Sequence, residues 1–201
     1  VRQGADGIEI DVQLTKDGVT VVVHDRNLSR VAARDRQIDE LRLPSVKKVR
    51  LGSWWQRRFR RQRIPTLQEV VHFARVQEVG LNVELKETLL ERPQLVKRVL
   101  DCLAPLTNVH ISSFHYELLE EVKKHAPHFI VAQILRKRDL TEEGLAKYPL
   151  ADIFHLNQKQ WKQPHIKALE LDGRPVRLYG VLGEEKVLDK GHALIIGWIT
   201  D

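Results

Sequence analysis

Two carboxylates stand at i and i+2 in Gly7-Ile8-Glu9-Ile10-Asp11-Val12-Gln13-Leu14, and a histidine follows in Val19-Thr20-Val21-Val22-Val23-His24-Asp25. Both runs are β-rich, and Thr15-Lys16-Asp17-Gly18 joins them with an Asp-Gly turn signal. Four residues are too few for a parallel crossover, so the runs pair antiparallel. A turn centred on Lys16 and Asp17 sets Leu14 opposite Val19, Asp11 opposite Val22 and Glu9 opposite His24. Side chains alternate along a strand, so Glu9, Asp11 and His24 are expected on one face. A register slip of one residue would turn His24 away.

Paired carboxylates on an inward face repel each other and lose hydration unless positive charge sits between them. For oxygen ligands a hard divalent cation, Mg²⁺ or Ca²⁺, fills that role; the other reading of the same spacing is an acidic face left in water. Leu81-Asn82-Val83-Glu84-Leu85-Lys86 offers a third acid. Asn82, Glu84 and Lys86 share one face of that strand, so Glu84 can complete a metal site and Lys86 can meet an anionic substrate. The alternative is a plain Glu84–Lys86 pair at a strand end. Together these groups suit phosphoryl transfer: a cation neutralises a non-bridging oxygen, and His24, a side-chain type that titrates near neutrality, protonates the departing alkoxide.

The elements that must carry these residues alternate. Apolar, β-branched runs lie at 7–13, 80–85, 108–113, 129–135, 153–156, 176–181 and 193–199. Helix-like stretches at 94–103, 116–125, 141–147 and 184–190 separate the later ones. In 94–103 the apolar positions Leu95, Val96, Val99, Leu100 and Leu103 keep helical spacing. Pro93 and Thr141 mark helix starts. Strands alternating with helices imply βα units and a parallel sheet. The expected fold is α/β, a TIM (β/α)8-type barrel with a β-hairpin and a small insertion. Seven such strands are one short of closure at the usual ~250 residues, which points to a missing first βα unit. The stretch 26–63, rich in arginine and holding Trp54-Trp55, breaks the rhythm and reads as an insertion into a single domain spanning 1–201.

The 201 residues are 42% hydrophobic and 30% charged, the balance of a globular chain. No apolar run approaches the roughly 20 residues of a membrane span. One cysteine, Cys102, rules out an internal disulfide and suits a reducing, cytoplasmic setting. The net charge of +6 owes much to Arg57-Arg58-Phe59-Arg60-Arg61-Gln62-Arg63. That run reads as a solvated face or a weak contact with an anionic membrane surface; nothing resembles a nucleic-acid module. The chain opens at Val1 without methionine and stops at Asp201 directly after an apolar run, so both ends read as cut.

In order and spacing, Gly4-Ala5-Asp6-Gly7-Ile8-Glu9-Ile10-Asp11-Val12, the turn at 15–18 and His24-Asp25 resemble the signature of the glycerophosphodiester phosphodiesterase family. Leu51-Gly52-Ser53-Trp54, Ile64-Pro65-Thr66-Leu67-Gln68-Glu69, Val83-Glu84-Leu85-Lys86, Ile111-Ser112-Ser113-Phe114 and Ile199-Thr200-Asp201 continue the resemblance along the chain. It implies a TIM barrel with a small insertion that hydrolyses glycerophosphodiesters to glycerol 3-phosphate and an alcohol. By the same resemblance Glu9, Asp11 and Glu84 are metal ligands and His24 is one of two catalytic histidines. The family's opening His-Arg-Gly motif is not in this chain. His115 stands where an aspartate or asparagine is usual, and Tyr179-Gly180-Val181-Leu182 replaces Trp-Thr-Val-Asn.

Three functions therefore stand at this level: a metal-dependent phosphodiesterase, a catalytically disabled phosphate-binding barrel, and a lysophospholipase D-type enzyme acting on lipids. His72, His125, His128, His165 and His192 are expected at the surface, and His110 and His155 as structural residues within strands. Trp161 and Cys102 are expected to pack.

Overall fold

The computed structural model describes residues 4–32, 35–52, 62–183 and 191–200, and its contacts divide the chain into two compact units, Val1–Val109 and His110–Asp201. In the first unit, strand β1 (Gly7–Leu14) lies between β2 (Thr20–Val22), which pairs antiparallel, and β3 (Gly80–Leu85), which pairs parallel. Parallel neighbours need a long crossover. Residues 26–63 and the helix Leu67–Gln77 supply it. Thr66 caps that helix: its hydroxyl accepts from the Glu69 amide, and the Glu69 carboxylate accepts from the Thr66 amide. Such a reciprocal cap satisfies two amides that the first turn leaves bare. Lys47 pairs with the same carboxylate, so the stretch 26–63 is tied to the helix start.

That stretch has an apolar interior. Leu28, Ala32, Ile38, Val46 and Val49, with Ile64 just beyond the stretch, pack with Val21 and Val23 of the hairpin. Short helical turns at Ser29–Ala32, Ile38–Glu40 and Leu43–Val46 bring them together. Trp54, Trp55 and Arg57–Arg61, which the sequence singled out as a solvated or membrane-facing run, lie outside the described residues.

The second unit takes β4 (Val109–Ser113) from its second residue on, then β5 (Ile130–Ile134), β6 (Ile153–Asn157), β7 (Val176–Val181) and β8 (Ile195–Thr200), each parallel to the next. The helices Tyr116–His125, Glu142–Leu145 and His165–Asp172 fill the crossovers. Tyr116–His125 matches its expected span, and Thr141 caps Glu142–Leu145 by accepting from the Gly144 amide. The expected helix at 94–103, in the first unit, resolves into a 3₁₀ turn, Pro93–Leu95, followed by Val96–Leu103. The expected helix at 184–190 lies outside the described residues. Phe154, Leu156, Leu169, Val176 and Leu178 form the core of the second unit, with Trp161 packed against it. Arg174 closes that core: it donates to the carbonyls of Leu145, Tyr148 and Ala151, pairs with Asp172 and lies 4.3 Å from the centroid of the Phe154 ring.

Candidate metal and phosphate site

The register of β1 on β3 brings the acids together. Glu9 lies beside Asn82, and Asp11 beside Glu84. Side chains at paired positions share a face, and one carboxylate oxygen from each of Glu9, Asp11 and Glu84 falls within 4.8 Å of the others. Lys86, just past the end of β3, reaches back with its Nζ 2.9 Å from Asp11 Oδ1 and 2.5 Å from Glu84 Oε1. The three paired side chains are only 11–16% exposed.

Burial dominates the electrostatics here. It pushes the Glu84 carboxyl above its ordinary value; Lys86 pulls it back without cancelling the shift, and Asp11 adds to the rise. Burial acts against the Lys86 ammonium too, but Glu84 and Asp11 outweigh it and raise the lysine. The carboxyl is thus raised chiefly by burial and the ammonium by its acidic partners. Three hard oxygen donors around a gap already bridged by an ammonium fit a divalent cation of the Mg²⁺ or Ca²⁺ kind.

His24 reaches this cluster by a route the sequence misjudged. Val12 pairs with Val22, Gln13 with Val21 and Leu14 with Thr20, one residue out of step with the expected pairing. The loop is three residues long rather than two. The Thr15 amide donates to the Val19 carbonyl at 3.0 Å, the Gly18 amide donates to Thr15, and Gly18 takes a φ of 75°. A left-handed glycine closing a three-residue hairpin is the known alternative to the two-residue turn. Glu9 therefore does not face His24 across a ladder. Instead β2 ends at Val22, and the chain bends at His24. His24 remains close enough that its charge lowers Glu84.

Neighbours the sequence did not single out hold His24 in place. Gln13, fully buried, donates from Nε2 to the His24 carbonyl at 3.2 Å, and its Oε1 accepts from the Thr88 hydroxyl at 2.8 Å. On the side chain, His24 Nδ1 lies 2.7 Å from Asp25 Oδ1. Arg30 grips both Asp25 oxygens, at 2.6 and 3.0 Å. Hydrogen bonds from Arg30, with help from His24 and against the smaller effect of burial, hold the Asp25 carboxyl down at about 2. Asp25 is thus ionised and fixed, and it favours the tautomer that carries the proton on Nδ1. The adjacent His24-Asp25 pair was a visible signal; Gln13 and Arg30 carried none, since their roles depend on where the hairpin ends. A cavity of about 420 Å³ lies alongside, lined by Val22, Val23, His24, Arg30, Val31 and Leu51 among others.

Parallel βα units, with the acidic, lysine-bridged cluster carried on β1 and on the C-terminal end of β3, are the architecture of a TIM-type barrel. The chain belongs to the glycerophosphoryl diester phosphodiesterase family, whose model matches residues 1–201. A glycerophosphodiester phosphodiesterase of Caldanaerobacter subterraneus is 37% identical over 128 residues, covering 62% of this chain and 53% of that protein. One from Bacillus altitudinis is 27% identical, covering 100% of this chain and 84% of the relative. The alignment thus spans about half the length of the first of these relatives. Among solved structures, an Oleispira antarctica phosphodiesterase in complex with the product sn-glycerol-3-phosphate superposes with a TM-score of 0.83 at 23% identity, covering 99% of this chain and 82% of that one. A glycerophosphodiester phosphodiesterase from Agrobacterium tumefaciens superposes with a TM-score of 0.77 at 23% identity, over 100% of this chain and 85% of its own. These likenesses show the fold to be that of the expected barrel. Among the described residues no helix is long and apolar enough to cross a membrane.

Proposed function

We propose that this chain serves the hydrolysis of glycerophosphodiesters to glycerol 3-phosphate and an alcohol, with Glu9, Asp11 and Glu84 holding Mg²⁺ or Ca²⁺. The observation that carries the reading is the convergence of those three carboxylates within 4.8 Å, in a chain matched along its length by the family model. We read the chain as one barrel domain with 26–63 as an insertion, supported by that same full-length match. A cation held by Glu9, Asp11 and Glu84 would supply Lewis-acid stabilisation of the phosphate's negative charge. Lys86, already raised and firmly charged, meets the phosphate as a second positive centre. Water adds to phosphorus as the bond from phosphorus to the alcohol oxygen breaks. His24, in its doubly protonated form with Nδ1–H held by Asp25, delivers the Nε2 proton to that leaving oxygen, and the proton released by the attacking water returns to the ring through solvent. Asp25 keeps the imidazole aimed, and the cavity beside His24 receives the departing alcohol.

The test is release of glycerol 3-phosphate from glycerophosphocholine by chain stripped of metal, with and without added Mg²⁺ or Ca²⁺. Release that depends on one of the ions supports the proposal. Saturable ion binding without any release would replace it with a phosphate-binding barrel that does not turn over.

A further inference from the structure

His110, His155 and Arg177 meet in the second unit, and none of them belongs to the carboxylate site. Pairing of β6 with β7 sets His155 directly beside Arg177. Arg177 Nη1 approaches the nitrogen-bearing edge of the His110 ring, 2.5 Å from Nε2 and 2.9 Å from Nδ1. The His110 and His155 rings meet edge to face with centroids 5.5 Å apart. His155 is 1% exposed, and its Nε2 is buried without a hydrogen-bond partner. On the far side of Arg177 the neighbour in β8 is Gly197, which puts no side chain of its own against Arg177, where an added Cβ would lie 3.5 Å from Nε.

Each feature marks something missing. A buried polar atom left unsatisfied costs roughly 1–3 kcal/mol, and such atoms in native proteins point to a role or a bound species. Buried charges are paired as a rule, yet among the described residues no carboxylate forms an ion pair with Arg177. The only influence that shifts its guanidinium is burial, which lowers it. Burial, with smaller contributions from neighbouring positive groups, keeps both imidazoles neutral: His110 is held at about 3 and His155 well below its ordinary value. The cluster therefore carries one positive charge, several N–H donors and no acid. A metal cation does not suit it, because Arg177 repels one. A group with negative charge and several acceptor oxygens suits it well, since guanidinium matches tetrahedral oxyanions in charge and geometry.

We propose that His110, His155 and Arg177 form a binding site for a small tetrahedral oxyanion, of the phosphate, sulfate or phosphomonoester class. The inference does not depend on the chain being an active phosphodiesterase. It is tested on the full chain passed over a chelating resin, so that no metal-borne phosphate binding contributes. Inorganic phosphate, sulfate and glycerol 3-phosphate are titrated separately while the histidine ring protons are followed by NMR. The expected result is saturable movement of the His110 and His155 signals, assigned with His110→Phe and His155→Phe, at roughly millimolar concentration or below. Arg177→Gln should weaken binding at least about tenfold, the equivalent of one charge-assisted hydrogen bond, while Glu84→Gln should leave it unchanged. Movement with glycerol 3-phosphate as well as phosphate identifies a phosphomonoester site; movement with the inorganic ions alone identifies a free-oxyanion site. No saturable movement in the unmodified chain would overturn the proposal and leave water as the partner of His155. Undiminished binding by a folded Arg177→Gln variant would overturn it equally.

Discussion

In the proposed site Lys86 stands beside the place a cation would take, and it already supplies part of the positive charge that the acids need. Its ammonium offsets the repulsion between Asp11 and Glu84. Removing one member of a buried ionic cluster leaves the rest uncompensated, at a cost of roughly 3–5 kcal/mol. Lys86→Met should therefore lower the melting temperature sharply in metal-free buffer. Added Mg²⁺ or Ca²⁺ should restore more of the loss in this variant than it adds to the unmodified chain. A loss that neither ion repairs would argue against a cation site. The acids predict the converse: Glu9→Gln, Asp11→Asn and Glu84→Gln should each weaken ion binding measured by calorimetry. His24→Ala should keep ion affinity and reduce turnover by roughly 10²–10⁴, the usual contribution of a positioned general acid. Full activity in Glu9→Gln would remove the metal assignment.

At the level of the element, the hairpin decides where His24 stands. Gly18 at a φ of 75° is a position that other residues adopt only under strain, and an added Cβ would come 3.3 Å from Leu95 Cδ1. Gly18→Ala should destabilise the chain by about 1 kcal/mol or somewhat more, seen as a lower denaturant midpoint with an unchanged slope. Gln13→Leu removes the donor to the His24 carbonyl and the acceptor of the Thr88 hydroxyl proton. It should lower turnover while leaving ion affinity near normal. The same hairpin shows how far a sequence can be read. That β1 and β2 pair antiparallel follows from the four-residue connection, and the shared face of Glu9 and Asp11 follows from strand alternation. Whether Lys16-Asp17 or Lys16-Asp17-Gly18 forms the loop depends on one backbone angle at Gly18, which residue types alone leave open. The alternation of strands and helices from residue 80 onward was legible because apolar periodicity changes from two to 3.6 at each boundary. The apolar interior of 26–63 was not, because Leu28, Ile38 and Val46 come together from short turns without any period. For the same reason Gln13 and Arg30 gave no sign of serving His24.

At the scale of the whole molecule, buried histidines set the response to acid. His110 is held at about 3 and His155 well below its ordinary value, chiefly by burial, whereas in an unfolded chain each titrates near 6.5. Between these limits the unfolded chain binds more protons than the native one, so stability falls as pH falls. Well below pH 6.5 each such histidine costs about 1.4 kcal/mol per pH unit, and His110 alone accounts for roughly 2–3 kcal/mol by pH 4.5. The depressed carboxyls of Asp25, Asp17, Glu69 and Asp172 contribute stability that is present above about pH 4 and lost below it. Their window lies lower and does not mask the histidines. Glu84, raised by burial, works in the opposite sense, and a Glu84→Gln background removes it. In that background, unfolding free energy measured from pH 7 to 4.5 should fall steeply, and His155→Phe should remove about one proton's worth of the slope. Saturating phosphate should flatten the slope as well, because an anion beside Arg177 stabilises the imidazolium forms that burial otherwise forbids. A slope indifferent to both His155→Phe and phosphate would show that the cluster neither stays neutral in the folded chain nor takes an anion.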